Sequence, residues 1–151
     1  MMLTKINIGA SLLLLTALYF SNPTVLKNTE KEYLAITEQQ TPLQKSMARG
    51  KEVYTDFCIQ CHMVTGKGNG TTFPPLDGSD WLKKKRAESI HAVKYGQKGE
   101  ILVNQKKFNG IMPPMGLSNE EVADVMNYVM NSWSNKTKKM VTVNEVALLK
   151  P

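Results

Sequence analysis

The sequence predicts an all-α domain of a few helices with long loops, gathered around a centre that its own side chains do not fill. Three observations carry this. Helix-start signatures recur between residues 41 and 145, whereas no segment shows convincing strand alternation. Stretches rich in Gly, Thr and Pro, at 63–79 and 97–117, separate the helices. Aromatic residues are only 7% of the chain while methionine occurs 9 times, so a large flat apolar group could supply the core volume that aromatic rings usually provide.

The elements follow in order. Lys5 precedes an apolar stretch from Ile6 to Phe20. Asn7 interrupts it, and it is shorter than the roughly 20 apolar residues of a membrane span. Residues 1–22 therefore read as an export signal peptide. Ala17-Leu18-Tyr19 is a poor cleavage site, which leaves an uncleaved N-terminal anchor as the alternative. No cysteine follows, so lipid attachment there is excluded. Residues 23–40 read as a polar linker and 41–151 as the folded domain.

Thr41-Pro42-Leu43-Gln44 offers an N-cap, a proline at the first helical position and a glutamine at the third. Ser46 is an alternative start, and the helix should run to about Asp56, with Met47, Gly50 and Tyr54 on one face. A short helix should begin near Asp80, and another should span Arg86 to Tyr95 and stop at Gly96. Ser118-Asn119-Glu120-Glu121 is a capping box ahead of Val122, Val125, Met126, Val129 and Trp133 at helical spacing, with Tyr128 beside that stripe. A third box, Thr142 to Glu145, predicts a short terminal helix over Val146 and Leu149.

Two cysteines cannot build a disulfide framework. They lie three apart, in Cys58-Ile59-Gln60-Cys61-His62. On a helical turn, positions i, i+3 and i+4 share a face. Two thiols at that spacing can add to the two vinyl groups of a haem while the imidazole swings beneath its iron. The motif therefore predicts one covalent haem c on Cys58 and Cys61, with His62 as an axial ligand. A thiol–disulfide oxidoreductase would also use Cys-x-x-Cys, but it expects a strand and a sheet. A structural zinc site needs four ligands. Cys58, Cys61, His62 and His91 would have to supply them, and adjacent ligands at 61 and 62 would strain a tetrahedral shell.

Electron transfer favours a sixth iron ligand, and a thioether sulfur stabilises Fe(II). Asn109-Gly110-Ile111-Met112-Pro113-Pro114-Met115 offers one. The two prolines stiffen the loop behind Met112, and Gly110 would let the backbone approach the ring. Met112 is the chosen ligand and Met115 the second choice. His91 reads as a solvent-facing helical residue.

The formal net charge of +6 is mostly lysine. No nucleic-acid motif accompanies it and the lysines sit among acids, so nucleic acid is excluded as a partner. The charge reads as a surface that steers acidic partners, with Lys51, Lys67, Lys83, Lys84, Lys85, Arg86, Lys106 and Lys107 as candidates.

With these residues in place, positions 46–135 resemble the class I mono-haem cytochrome c family. Gly50, Tyr54, Cys58, Cys61 and His62 match the family's first helix and attachment motif. Pro74-Pro75-Leu76-Asp77-Gly78 resembles its Pro-x-Leu-x-Gly loop, Met112-Pro113-Pro114 its distal loop, and Val125, Tyr128 and Val129 its last helix. The resemblance implies the class I cytochrome c fold, in which the first and last helices cross at right angles. Gly50 would permit that approach, and Tyr54 and Tyr128 would fill the crossing. It also implies that the Pro74 carbonyl accepts the Nδ1 proton of the proximal His62. Phe108-Asn109-Gly110 replaces a longer loop of mitochondrial-type members and looks more like exported bacterial ones.

The function so implied is one-electron transfer without catalysis, in the periplasm. The carrier would be soluble or tethered to the membrane through residues 6–20. Its redox partners would be a dehydrogenase, a reductase or a terminal oxidase. A cytochrome subunit of a larger dehydrogenase or reductase complex is the alternative. A haem peroxidase or ligand sensor is a further one, and it would require an iron that Met112 leaves open.

Overall fold

The computed structural model describes residues 40–137 and 139–151, so the predicted signal or anchor and nearly all of the linker lie outside the described residues. The domain is predominantly helical, as predicted. Helix α1 (Pro42–Phe57) starts where the capping box places it. Thr41 Oγ1 accepts from Gln44 N at 3.2 Å, and Gln44 Oε1 accepts from Thr41 N at 2.8 Å. The single turn α2 (Ile59–His62) follows at once. Then come α3 (Asp80–Lys84), capped by Ser79, and α4 (Arg86–Tyr95), which ends at Gly96 with φ +89°. Helix α5 (Asn119–Val129) carries the second complete capping box, and α6 (Val143–Ala147) closes the chain.

The best-packed region is the meeting of α1 and α5. A Cβ on Gly50 would stand 2.0 Å from the Asp124 carbonyl oxygen, so the two backbones touch there and no larger residue fits. Around that point the helices are also tied by polar side chains, buried Ser46, Asp124 and Asn127 and the exposed Arg49. Ser46 Oγ donates to Asp124 Oδ1 at 2.6 Å, and Arg49 donates to both Asp124 oxygens at 2.6 and 2.8 Å. Asn127 Nδ2 donates to Ser46 Oγ at 2.8 Å. The aromatic filling is larger than predicted. Tyr54 packs on Tyr128 with ring centroids 5.4 Å apart and on Trp133 at 5.5 Å.

Three local departures have physical causes. First, residues 97–112, read as loop, contain four short strands. β1 (Gln97–Lys98) pairs antiparallel with β4 (Ile111–Met112), and β2 (Ile101–Val103) pairs with β3 (Lys106–Phe108). The β2–β3 turn uses Asn104 and Gln105, both at positive φ, as a two-residue hairpin of this hand requires. Asn-Gln carries a much weaker signal for that turn than Asn-Gly.

Second, α5 stops at Val129, and Trp133 sits beyond it at φ +55°. There its Nε1 donates to the Val64 carbonyl at 3.0 Å. Third, only half of the box at Thr142 forms. Thr142 Oγ1 accepts from Glu145 N at 3.1 Å, but the Glu145 carboxylate is taken by Arg86 at 2.7 and 2.9 Å. Among the described residues no helix is long and apolar enough to cross a membrane.

Candidate cofactor-binding cleft

The end of α1 and the single turn α2 place the Cys-x-x-Cys-His side chains. Cys58 N donates to the Tyr54 carbonyl at 2.9 Å, closing α1. The Cys58 carbonyl then accepts from Cys61 N at 3.2 Å and His62 N at 2.9 Å. The motif is thus a helical turn, and Cys58, Cys61 and His62 all line one cleft. That cleft holds about 1230 Å³ of empty space counted out to its open mouth, and its walls are almost wholly apolar. Val125, Met126 and Val129 of α5 form one wall, and Leu82, Ala92 and Val93 come from α3 and α4. The hairpin adds Ile101, Val103 and Phe108.

His62 is buried, and its Nδ1 lies 3.1 Å from the Pro74 carbonyl oxygen. That contact assigns the proton to Nδ1 and leaves the lone pair on Nε2. Burial lowers the His62 pKa below the ordinary histidine value, with the Pro74 carbonyl pulling the other way. The imidazole is therefore neutral at neutral pH, the form that binds a metal. Burial, and next the neighbouring Cys61, push the Cys58 thiol up to about 11. It stands as a thiol, unlike the depressed thiolates of disulfide oxidoreductases.

The loop that brings Pro74 to His62 depends on residues the sequence reading passed over. Gly68, at φ +59°, donates its N–H to the His62 carbonyl at 3.1 Å, and a Cβ there would stand 2.2 Å from the Phe73 carbonyl oxygen. Asn69 Oδ1 accepts from Thr71 N, Thr72 N and Phe73 N at 3.0, 2.8 and 2.9 Å. The signal for such a turn was present, since Asn-Gly within a Gly-rich stretch is turn chemistry.

On the distal side, Met112 sits on β4 opposite Gln97 and lines the cleft. Gly96 seats it, since a Cβ there would meet the Met112 carbonyl oxygen at 2.8 Å. Met115 lines the same cleft and also packs against the core. Gly110 lines the cleft too, and a Cβ there would approach the Thr72 carbonyl at 3.1 Å, so its small size also joins the distal loop to the proximal one.

Cys58, Cys61, His62, Pro74, Met112 and Met115 therefore all converge on one cleft. His91 does not. Its ring lies tilted by 53° against Tyr95 with centroids 5.1 Å apart, and it lines a second groove with Trp81 and Glu88. Among the described residues, no cluster of three or more His, Cys, Asp and Glu side chains suits a metal ion, which removes the zinc arrangement. Ile101, Val103 and Phe108 were missed as lining residues because the hairpin was missed. The run Ile-Leu-Val before Asn104 was the signal for it.

The candidate steering charges divide. Arg86 is locked to Glu145 and donates to the Lys139 carbonyl at 3.2 Å. Lys84, Lys85 and Lys107 pair with Asp80, Glu88 and Glu100, and Lys106 donates to the Gly70 carbonyl.

An apolar cleft walled by helices, with two half-buried cysteines and a neutral histidine on one turn, defines a cofactor-binding domain of the cytochrome type. The chain belongs to the cytochrome c family, whose family model matches residues 47–133. It is 34% identical over 117 residues to cytochrome c-552 of Thermus thermophilus, an alignment covering 72% of this chain and 78% of that protein. It is 30% identical over 115 residues to the cytochrome c subunit of the quinone-dependent alcohol dehydrogenase of Gluconobacter oxydans, covering 67% of this chain and 22% of the subunit. It is also 30% identical over 111 residues to subunit FixP of the cbb3-type cytochrome c oxidase of Sinorhizobium medicae, covering 69% of this chain and 35% of that subunit. Proteins of this family carry electrons and are not catalytic enzymes.

Proposed function

We propose that this domain binds one haem c covalently through Cys58 and Cys61, ligates its iron with His62 and Met112, and carries single electrons outside the cytoplasm. The observation that supports this most is the convergence of those side chains on one apolar cleft, with the Pro74 carbonyl engaging His62 Nδ1. The lining fits the group: a large apolar slot, two thiols on one helical turn, and a neutral imidazole and a thioether on its walls. A haem c bound here supplies an iron centre that takes up and releases one electron.

The chain's own residues do the rest. Cys58 and Cys61 would hold the ring covalently, so that it cannot diffuse away. Pro74 fixes the orientation of His62 and makes it a stronger donor. The α5 and hairpin walls keep water from the centre. Met112 is preferred to Met115 because the β1–β4 pair holds its backbone, while Met115 already packs against the core. Phe57 and Ile111 line the cleft and remain 44% and 74% exposed, which puts them at its mouth, the side on which a redox partner would approach. Export rests on the apolar stretch Ile6–Phe20 behind Lys5.

A second reading has a specific basis. Relatives named as subunits of an alcohol dehydrogenase and of a terminal oxidase match this chain over only a fifth to a third of their own length. The domain would then relay electrons within, or to, such a complex.

Absorption spectroscopy tests the ligand set. The oxidised protein should show the weak far-red band of methionine-ligated ferric haem. Met112→Ala should remove that band, lower the reduction potential and open the iron to carbon monoxide, while Met115→Ala should keep the band. The opposite pattern would move the ligand to Met115. A parent protein that lacks the band and binds carbon monoxide readily would overturn six-coordinate electron transfer.

A further inference from the structure

The matched family region ends at residue 133, yet the next two residues reach back to the loop that holds His62. Asn135 is 4% exposed. Its Oδ1 accepts from Gly78 N at 3.1 Å, and its Nδ2 donates to the Leu76 carbonyl at 2.8 Å and the Val129 carbonyl at 3.0 Å. One amide therefore ties the loop after Pro74 to the last residue of α5 by engaging three backbone groups, of which the Leu76 carbonyl also accepts from Ser79 N at 3.3 Å. Ser134 adds a parallel tie, with its N–H and hydroxyl both donating to Asp77 Oδ1. On the far side, Leu76 N and Asp77 N share the Gly66 carbonyl at 2.6 and 2.9 Å. Residues 76–78 are thus gripped from two directions, two residues beyond the carbonyl that engages His62.

We propose that Asn135 is a positioning residue for the proximal ligand. It fixes the backbone of residues 76–78 against α5, and through that short segment holds the Pro74 carbonyl on His62 Nδ1. The inference rests on His62 being an iron ligand, and it goes beyond that reading by assigning a role to a residue outside the matched family region. It is a role in orientation, since Asn135 does not line the cleft. A purely structural tie would cost stability and leave the His62–Pro74 contact alone.

The test uses the full haem-loaded chain and nuclear magnetic resonance, with hydrogen exchange read at His62 Nδ1–H and at the Gly78 amide. Asn135→Ala should speed exchange at both by at least tenfold. Asn135→Ser, which keeps a short polar side chain if alanine does not fold, should give a smaller acceleration of the same two protons. Arg86→Gln serves as the control. It removes bonds of Arg86 to Glu145, the Lys139 carbonyl and Met130 Sδ, none of which involves residues 74–78 or Asn135, and should lower the melting temperature without moving His62 Nδ1–H. If exchange at His62 Nδ1–H in both Asn135 variants matches the control, the proposal is overturned, whatever happens to stability. The intact mass of each variant reports haem attachment independently of exchange, so a failure of haem attachment is distinguishable from a failure of the tie.

Discussion

The α1–α5 crossing and the cofactor cleft lie against the same helix and are built on opposite principles. At the crossing the backbones meet over Gly50, three aromatic rings fill the gap, and Asp124, Ser46 and Asn127 satisfy one another. Nothing further is needed there. On the other side of α5, Val125, Met126 and Val129 face an apolar slot whose other walls come from the end of α1, α2, α3, α4, a small hairpin and two loops. Such a slot is stable when something apolar fills it. One face of α5 thus completes a core from the chain alone, while another completes it with a cofactor.

Removing the filling should have the largest effect. Cys58→Ser combined with Cys61→Ser is expected to abolish covalent haem and remove most of the ~5–15 kcal/mol typical of a small domain. Thermal melting followed by far-ultraviolet circular dichroism reads this. A double variant as stable as the parent would show that the cleft side does not depend on its cofactor.

Gly50→Leu attacks the other side. Its first atom already collides with the Asp124 carbonyl, so it should cost at least the ~1–3 kcal/mol of overpacking, with or without haem. An unchanged denaturation midpoint would refute the close approach. Phe108→Ala sharpens the contrast. In the haem-loaded protein it should cost about 3 kcal/mol, as for a buried aromatic truncation, and in the cysteine-free chain less than about 1 kcal/mol, because the slot is already open. Equal losses in both backgrounds would mean that Phe108 packs on protein alone.

The smallest effect concerns the Arg86–Glu145 pair. Arg86 holds the Glu145 carboxyl below its ordinary value of 4.5. A depressed folded-state pKa contributes stability that is present above 4.5 and lost as pH falls through the lower folded value. Arg86→Gln should therefore cost about 1 kcal/mol at neutral pH, a figure kept small because both side chains remain partly exposed. Its stability should converge with the parent's in acid. A gap that persisted at low pH would point to the Arg86 contact with the Lys139 carbonyl instead.

The same contrast explains what was legible in the sequence. Features set by local chemistry were readable: the caps at Thr41 and Ser118, the stop at Gly96, and the shared face of Cys58, Cys61 and His62. Gly50 and Pro74 became readable only through the family resemblance, because each acts on a partner far along the chain. Features decided by tertiary contact stayed hidden. The hairpin forms although Gln105 is a poor turn residue, helped by reciprocal bonds between Asp80 and Asn104 at 2.7 and 2.9 Å. Trp133 fits the α5 periodicity but leaves the helix to pack on Tyr54 and to bond Val64. Glu145 fits a capping box, but the bidentate bond to Arg86 is the stronger claim on its carboxylate.

The central claim is that Cys58 and Cys61 hold a haem covalently. Intact-mass spectrometry of the purified full chain, denatured and treated with a thiol-alkylating reagent, tests it most directly. The account predicts a coloured protein whose denatured mass carries one haem and takes up no alkyl group. A colourless chain that alkylates at both cysteines would contradict it.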